Sequence, residues 1–352
     1  YMIYKTISTL LQKADPELAH SLAIKFLKNS YLPFNLLTNV PSSKLEINIL
    51  GKNFTNPVGL AAGFDKNADI YNSIFKLGFG FSEVGTVTPL AQYGNPKPRV
   101  FRLIEDEAII NRLGFPSLGM DKVQSTIKNN PPKGILGINI GPNKESTSKI
   151  EDYLKCFEHF CNLCDYICIN ISSPNTPNLR DLHEKSKIEE LLIAIKLKQK
   201  QLNNKTKILL KISPDITSKN IAELSTIVLD QKIDGVVLTN TTISRDQNLQ
   251  NINQAELGGL SGKPLQQSSN LIIQEFYKSL GTKIPIIGAG GVFDGKSAFD
   301  KIKSGASLIQ LYTSMVYQGP YVVNKINKEL EVLLEAEGFE NLKDAIGKDC
   351  IE

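Results

Sequence analysis

Five asparagines, two lysines and a serine follow short apolar runs or glycine turns closely, where a fold can gather them. They are Asn111, Asn139, Asn170, Asn175 and Asn240, Lys66 and Lys211, and Ser173. Asparagine presents a paired donor and acceptor, so several converging on one place suit a flat heterocycle with amide edges, such as a pyrimidine or an isoalloxazine. Scattered turn formers are the alternative. Lys211 lies inside KILLKIS, where an uncompensated charge is costly. It is expected to face a cavity and meet an anion, and a reduced flavin, negative near N1, is one such anion. Exposed surface lysines are the plainer reading. Ser173 could attack a substrate or pass a proton, but a serine needs an activating partner. The histidines, His20, His159 and His183, stand in no triad context and there is no GxSxG elbow, which argues against hydrolase chemistry.

Glycines point to a phosphate. Gly288-Ala-Gly290-Gly291 and Gly258-Gly259-Leu-Ser-Gly262 are glycine-rich, and Tyr312-Thr313-Ser314 precedes a helical stretch. Glycines let backbone N–H groups approach a phosphate, and a helix N-terminus favours its charge. Glycines acting only as turn formers remain open, and a phosphate alone does not separate FMN from a sugar phosphate. Cys156, Cys161, Cys164 and Cys168 have a spacing like that of an iron–sulfur loop. The first three fall in a helical pattern and Cys168 in a strand, so all four are read as small core residues, with no metal site expected. Cys350 makes the count odd, against a disulfide framework. His159 is read as a helix-face residue.

Eight apolar runs supply the strand ends: 58–62, 81–85, 134–140, 166–172, 207–213, 235–239, 284–290 and 307–312. Helical stretches such as KIEELLIAIKLKQKQL and KNIAELSTIVLD separate them. Continuous apolar strands alternating with helices mean a parallel sheet with crossovers, and eight units predict a (β/α)8 TIM barrel. An open doubly wound sheet is the alternative. In a barrel the site lies at the strands' C-terminal ends, and every run here ends in polar residues: AAGFDKN, GTVTP, NIGPN, NISSPNTPN, KISPD, TNTT, GAGG and YTS.

The opening differs. Residues 1–40 are expected to form an amphipathic helical hairpin, followed by the barrel over 41–352. Asp15-Pro16-Glu17 starts the second helix, whose apolar residues fall at 18, 19, 22, 23, 26 and 27. LEINILGKNFTNP reads as a β-hairpin turning at Gly51-Lys52. The 352 residues carry a net charge of +4 without a basic block of the kind that binds nucleic acid. No apolar run reaches the roughly 18 residues of a bilayer span. No secretory signal is read, so folding in the cytosol is expected.

Taken in order, NPVGLAAGFDKN, GTVTP, GNPKPRVFRL, INRLGF, NIGPN, NISSPNTPNLR, LLKISPD, TNTT, GGLSGKPL and IPIIGAGGV resemble the dihydroorotate dehydrogenase family. Departures are small: Pro116 follows INRLGF, and Asn178 stands where glycine is common. The resemblance implies bound FMN and oxidation of dihydroorotate to orotate in pyrimidine synthesis. It matches Ser173 to the catalytic base of the quinone-dependent class, where the soluble class has cysteine. It assigns Ala62, Gly63, Lys66, Thr86, Asn139, Asn170, Lys211, Thr239, Gly262, Gly291, Tyr312 and Thr313 to FMN. It assigns Lys66, Asn111, Asn170, Asn175, Asn240 and Thr241 to the substrate, with Arg112, Leu113, Gly114 and Phe115 of INRLGF closing the pocket. His20 and Arg102 match a quinone tunnel.

By the same resemblance, Ser173 removes a proton from C5 while C6 delivers hydride to the flavin, and the serine's proton leaves through a relay. Thr176-Pro177 and DLHEKSK are expected to form a lid. The expected location is the cytoplasmic side of a cell inner membrane, bound peripherally through the hairpin, with a membrane quinone as acceptor. The rival readings are a soluble enzyme of this family using fumarate or NAD, another flavin barrel, and a non-catalytic phosphate-binding barrel.

Overall fold

A computed structural model describes residues 14–29, 41–176, 179, 184–245 and 248–350. Eight parallel strands close into a barrel. They are β1 (Val58–Leu60), β2 (Phe81–Val87), β3 (Ile135–Ile140), β4 (Tyr166–Asn170), β5 (Lys207–Ile212), β6 (Gly235–Leu238), β7 (Ile286–Ala289) and β8 (Leu308–Leu311). Each pairs with its neighbour in chain order, and β8 closes on β1 through Ile309–Val58 and Leu311–Leu60. All eight apolar runs became barrel strands, and the closure excludes the open doubly wound sheet.

The strands read as unbroken apolar runs because helices cover the sheet outside and side chains fill it inside. Two glycines make room for rings from the next strand. A Cβ on Gly59 would lie 2.3 Å from Phe81, and one on Gly137 would lie 2.1 Å from Tyr166. The outer helices start on side-chain caps. Ser148 caps Lys149–Phe160, and Thr217 and Asp294 form capping boxes on Ser218–Asp230 and Gly295–Lys303. Cys156 lies in the first of these helices, Cys161 caps its end and Cys164 lies beyond it. Cys156, Cys161 and Cys168 are buried, and burial raises the thiol pKa of all four above the ordinary range. His159 lies on that helix with Nε2 3.1 Å from Asp121.

Two features differ from expectation. The small hairpin of Ile47–Ile49 and Lys52–Phe54 turns at Leu50-Gly51, not Gly51-Lys52, because Ile49 pairs with Lys52. Leu50 and Gly51 both take positive φ, 55° and 73°, as a tight two-residue hairpin turn requires. Gly259–Gly262, read as a glycine loop, is a strand. It pairs antiparallel with Ala108–Asn111, which pairs with Val100–Leu103, forming a three-stranded sheet.

The second helix of the N-terminal segment is Pro16–Lys28, with Asp15 accepting the N–H groups of Glu17 and Leu18. Ala19 and Leu27 are buried, and Leu27 O accepts a hydrogen bond from Ser73 Oγ at 2.8 Å. Glu17 takes Arg99 Nη2 at 2.8 Å, and Lys28 pairs with Asp69 at 2.6 Å. The adjacent row, Leu18, Leu22 and Phe26, spaced i, i+4, i+8, is exposed. The expected first helix of the hairpin lies outside the described residues.

Candidate active site

The C-terminal ends of the barrel strands surround an open cleft. Lining it are Ala62, Gly63, Lys66, Thr86, Asn170, Ser173, Lys211, Thr239, Gly262, Gly291, Tyr312 and Thr313. Asn111, Leu113, Gly114, Phe115, Asn175, Asn240 and Thr241 line it too. The antiparallel sheet brings Asn111, Ser261 and Gly262 over the barrel mouth. Four candidates stand off the lining. Asn139 is fully buried one layer deeper. Arg112 turns away to Glu256 at 2.7 Å and stacks over Phe101 at 4.5 Å. His20 lies on the N-terminal helix, and Arg102 on strand Val100–Leu103 of the antiparallel sheet, where its Nη2 donates to the Ala14 carbonyl.

The floor of the cleft is a polar network in the barrel interior. Glu83 in β2 has no exposure, yet it takes Asn139 Nδ2 at 2.8 Å, Tyr166 OH at 3.0 Å and Gln310 Nε2 at 2.8 Å. Burial and the Glu83 carboxylate push the Tyr166 phenol well above its ordinary range, so it stays a donor. With its Nδ2 committed to Glu83, Asn139 turns Oδ1 upward to accept Thr86 Oγ1 at 2.6 Å and Asn170 Nδ2 at 3.1 Å. Asn240 Nδ2 continues the chain to Asn170 Oδ1 at 3.3 Å and Ser172 Oγ at 2.9 Å. Across the cleft Asn175 Nδ2 donates to Asn111 Oδ1 at 3.2 Å. The lining asparagines, Asn111, Asn170, Asn175 and Asn240, therefore meet the cleft with preset amide orientations. Glu83, Tyr166 and Gln310 were missed by the sequence reading, although a carboxylate inside the apolar run FSEVG was a usable signal.

Lys66 Nζ donates to the Gly63 carbonyl at 2.7 Å. Burial lowers its pKa to about 8, with Arg99 adding repulsion and Glu17 and Asp65 opposing it. An anionic ligand in the cleft would favour its ammonium form and raise that pKa. His20 packs edge-on against Phe64 at 5.0 Å, and Phe64 against Tyr312 at 5.4 Å, an aromatic row from the N-terminal helix to the cleft wall. Burial, with the Lys66 charge second, lowers His20 to about 3. It is therefore neutral at neutral pH, a hydrogen-bonding group and not a charge. Ser173 is nearly buried, and its Oγ accepts the Asn175 N–H at 3.3 Å.

Glycine geometry marks one end of the cleft. Gly262, Gly290 and Gly291 all take positive φ. A Cβ on Gly291 would lie 2.4 Å from Gln266 Cα, so this turn presses on the first residue of helix Gln266–Leu280. Backbone N–H groups over a helix N-terminus suit a phosphate. Three hydroxyl or amide oxygens on the lining, Thr239 Oγ1, Gln310 Oε1 and Ser314 Oγ, are buried without a partner. Glycine turn, orphaned acceptors and donors, and a buried lysine together fit a phosphorylated flavin.

The family model described as dihydroorotate dehydrogenase matches residues 44–334. The chain is 46% identical over 335 residues to a dihydroorotate dehydrogenase (quinone) of Bartonella tribocorum, covering 94% of this chain and 92% of that one. It is 45% identical over 345 residues to the mitochondrial dihydroorotate dehydrogenase (quinone) of Mus musculus, covering 95% and 87%. A crystal structure of the Eimeria tenella enzyme in complex with ferulenol superposes with a TM-score of 0.93 at 37% identity, over 98% of this chain and 99% of that one. A barrel whose strand ends assemble this cleft, matched along nearly its whole length, belongs to the dihydroorotate dehydrogenase family.

Proposed function

We propose that this chain oxidises dihydroorotate to orotate in pyrimidine synthesis and delivers the electrons, through bound FMN, to a membrane quinone. The observation that carries this reading is Ser173, whose loop faces the same cleft as Lys66, the preset asparagine amides and the glycine turn. FMN would lie with its phosphate at Gly262, Gly291 and Thr313 and its ring system against Thr86, Asn170, Lys211 and Thr239. When bound, it supplies a hydride acceptor that can be reoxidised by quinone.

The chain's own groups supply the remainder. Lys66 pairs with the substrate carboxylate. Asn111, Asn175 and Asn240 hold the amide edges of the pyrimidine, with Thr241 beside Asn240 and Gly114 and Phe115 closing one wall. Ser173 takes the proton from C5. A serine is a weak base at neutral pH, so its own proton must move on. Thr176 Oγ1, buried and without a partner three residues along the same loop, supports a relay in which its hydroxyl takes that proton as it passes its own on towards solvent. Of the rest of the expected lid, 177 and 181–183 lie outside the described residues, while Glu184 caps helix Lys185–Gln201, which takes up 185–187.

The exposed row Leu18, Leu22 and Phe26 supports peripheral contact with the cytoplasmic side of a cell inner membrane. Among the described residues no helix is long and apolar enough to cross a membrane. Lys28 is committed to Asp69, which leaves Lys25 on this helix to meet headgroups. His20, on this helix, and Arg102, on strand Val100–Leu103, would then be the groups to hydrogen-bond a quinone carbonyl. Anaerobic addition of dihydroorotate should bleach the bound flavin, and a short-chain quinone should restore its colour. A flavin that dihydroorotate leaves oxidised would refute the activity.

A further inference from the structure

Lys301 takes no part in the chemistry above, yet it has no exposure. Its neighbours on helix Gly295–Lys303 behave as surface lysines do: Lys296 pairs with Asp300, and Lys303 pairs with Glu337 at 3.1 Å. Lys301 runs inward behind β7. A Cβ on Gly288 would lie 2.7 Å from Lys301 Cγ and Cδ, so that glycine opens the path for this side chain. Nζ donates to Ser269 Oγ at 3.0 Å and Asn270 Oδ1 at 2.6 Å. Ser269, also fully buried, donates its hydroxyl to the Ala289 carbonyl at 2.7 Å. That carbonyl also takes the Thr239 N–H at 2.9 Å. The next two residues are Gly290 and Gly291. A Cβ on Gly290 would lie 3.3 Å from Ser269 Cβ.

The amine therefore stands behind the glycine turn, joined to it by two hydrogen bonds, and among the described residues no carboxylate accepts from it. Burial pushes it down to about 7, with the adjacent Asp300 carboxylate opposing. A lysine without a hydrogen-bonded counter-ion is a costly way to fill a core position. The cost is offset where an anion comes to rest close by, and the glycine turn to which these two hydrogen bonds lead suits one.

We propose that Lys301 is a positioning residue for the cofactor phosphate, holding Ser269 and hence the Ala289–Gly291 turn at the start of helix Gln266–Leu280. The proposal rests on the FMN reading above. It predicts an effect specific to the phosphate, which a merely structural role would not produce. The full chain, stripped of flavin, is titrated with FMN and separately with riboflavin, which lacks the phosphate. In Lys301→Met and in Ser269→Ala, FMN should bind roughly 10- to 100-fold more weakly, the worth of a buried hydrogen bond left incomplete. Riboflavin affinity should stay within about twofold of wild type in both. Unchanged FMN affinity in Ser269→Ala, or an equal loss for both flavins, overturns the proposal. Ser269→Ala removes one oxygen and decides the matter if Lys301→Met does not fold. Wild-type protein that takes up neither flavin refutes the FMN reading, and the proposal falls with it.

Discussion

Lys66 offers a test through pH. Burial holds its pKa at about 8, against an ordinary lysine value of 10.5. A carboxylate arriving beside Nζ favours the ammonium, so orotate binding must raise that pKa. Below about pH 8 the lysine is already charged and affinity should be flat. Above it, binding requires uptake of a proton. The orotate dissociation constant should then rise by about tenfold per pH unit until the bound-state pKa is reached. Two units above the ligand-free value the loss is thus roughly 100-fold, about 2.7 kcal/mol. Lys66→Met removes both the titration and the pairing. Its affinity near neutral pH should fall by about 2–5 kcal/mol, roughly 30- to 5,000-fold, and show no step above about pH 8. Quenching of flavin fluorescence, or a shift of the flavin absorbance, on orotate titration at several pH values reads both effects. A flat wild-type profile from about pH 6 to 10, or a Lys66→Met variant that binds orotate as tightly as wild type, would place Lys66 away from the carboxylate.

Ser173→Ala should retain FMN and orotate, while reduction of the flavin by dihydroorotate in stopped flow slows by roughly 10²–10⁴-fold. Ser173→Cys should keep part of the rate, and a wild-type rate in the alanine variant removes the assigned role. Glu83→Ala strands three buried donors, on Asn139, Tyr166 and Gln310, and should cost at least about 3 kcal/mol in chemical denaturation. A loss below about 1 kcal/mol would mean that the network relaxes around the gap. Replacing Leu18, Leu22 and Phe26 together by serine should leave flavin reduction intact, because these side chains are exposed and do not line the cleft. Binding to anionic liposomes and reoxidation by a long-chain quinone should both drop, and undiminished liposome binding would remove this face from the membrane contact.

The scaffold was legible in the sequence because each barrel strand is buried on both faces and so reads as an apolar run wherever it occurs. Local signals worked for the same reason: Asp15 and Pro16 start a helix through bonds that reach only three residues. Most candidate site residues were legible too, because barrel geometry sends the end of every strand to one rim. What the sequence could not carry is contact across long separations. Gly259 pairs with Asn111, 148 residues away, so a glycine-rich run that reads locally as a loop becomes a strand and lifts Asn111 over the cleft. Gly288, read as part of a phosphate loop, instead leaves space for the Lys301 side chain. Glu83 turns inward, where three donors from three other strands meet it. A buried charge or a missing Cβ has meaning only through the neighbours that folding brings to it, and the closed barrel, not the local sequence, chose those neighbours.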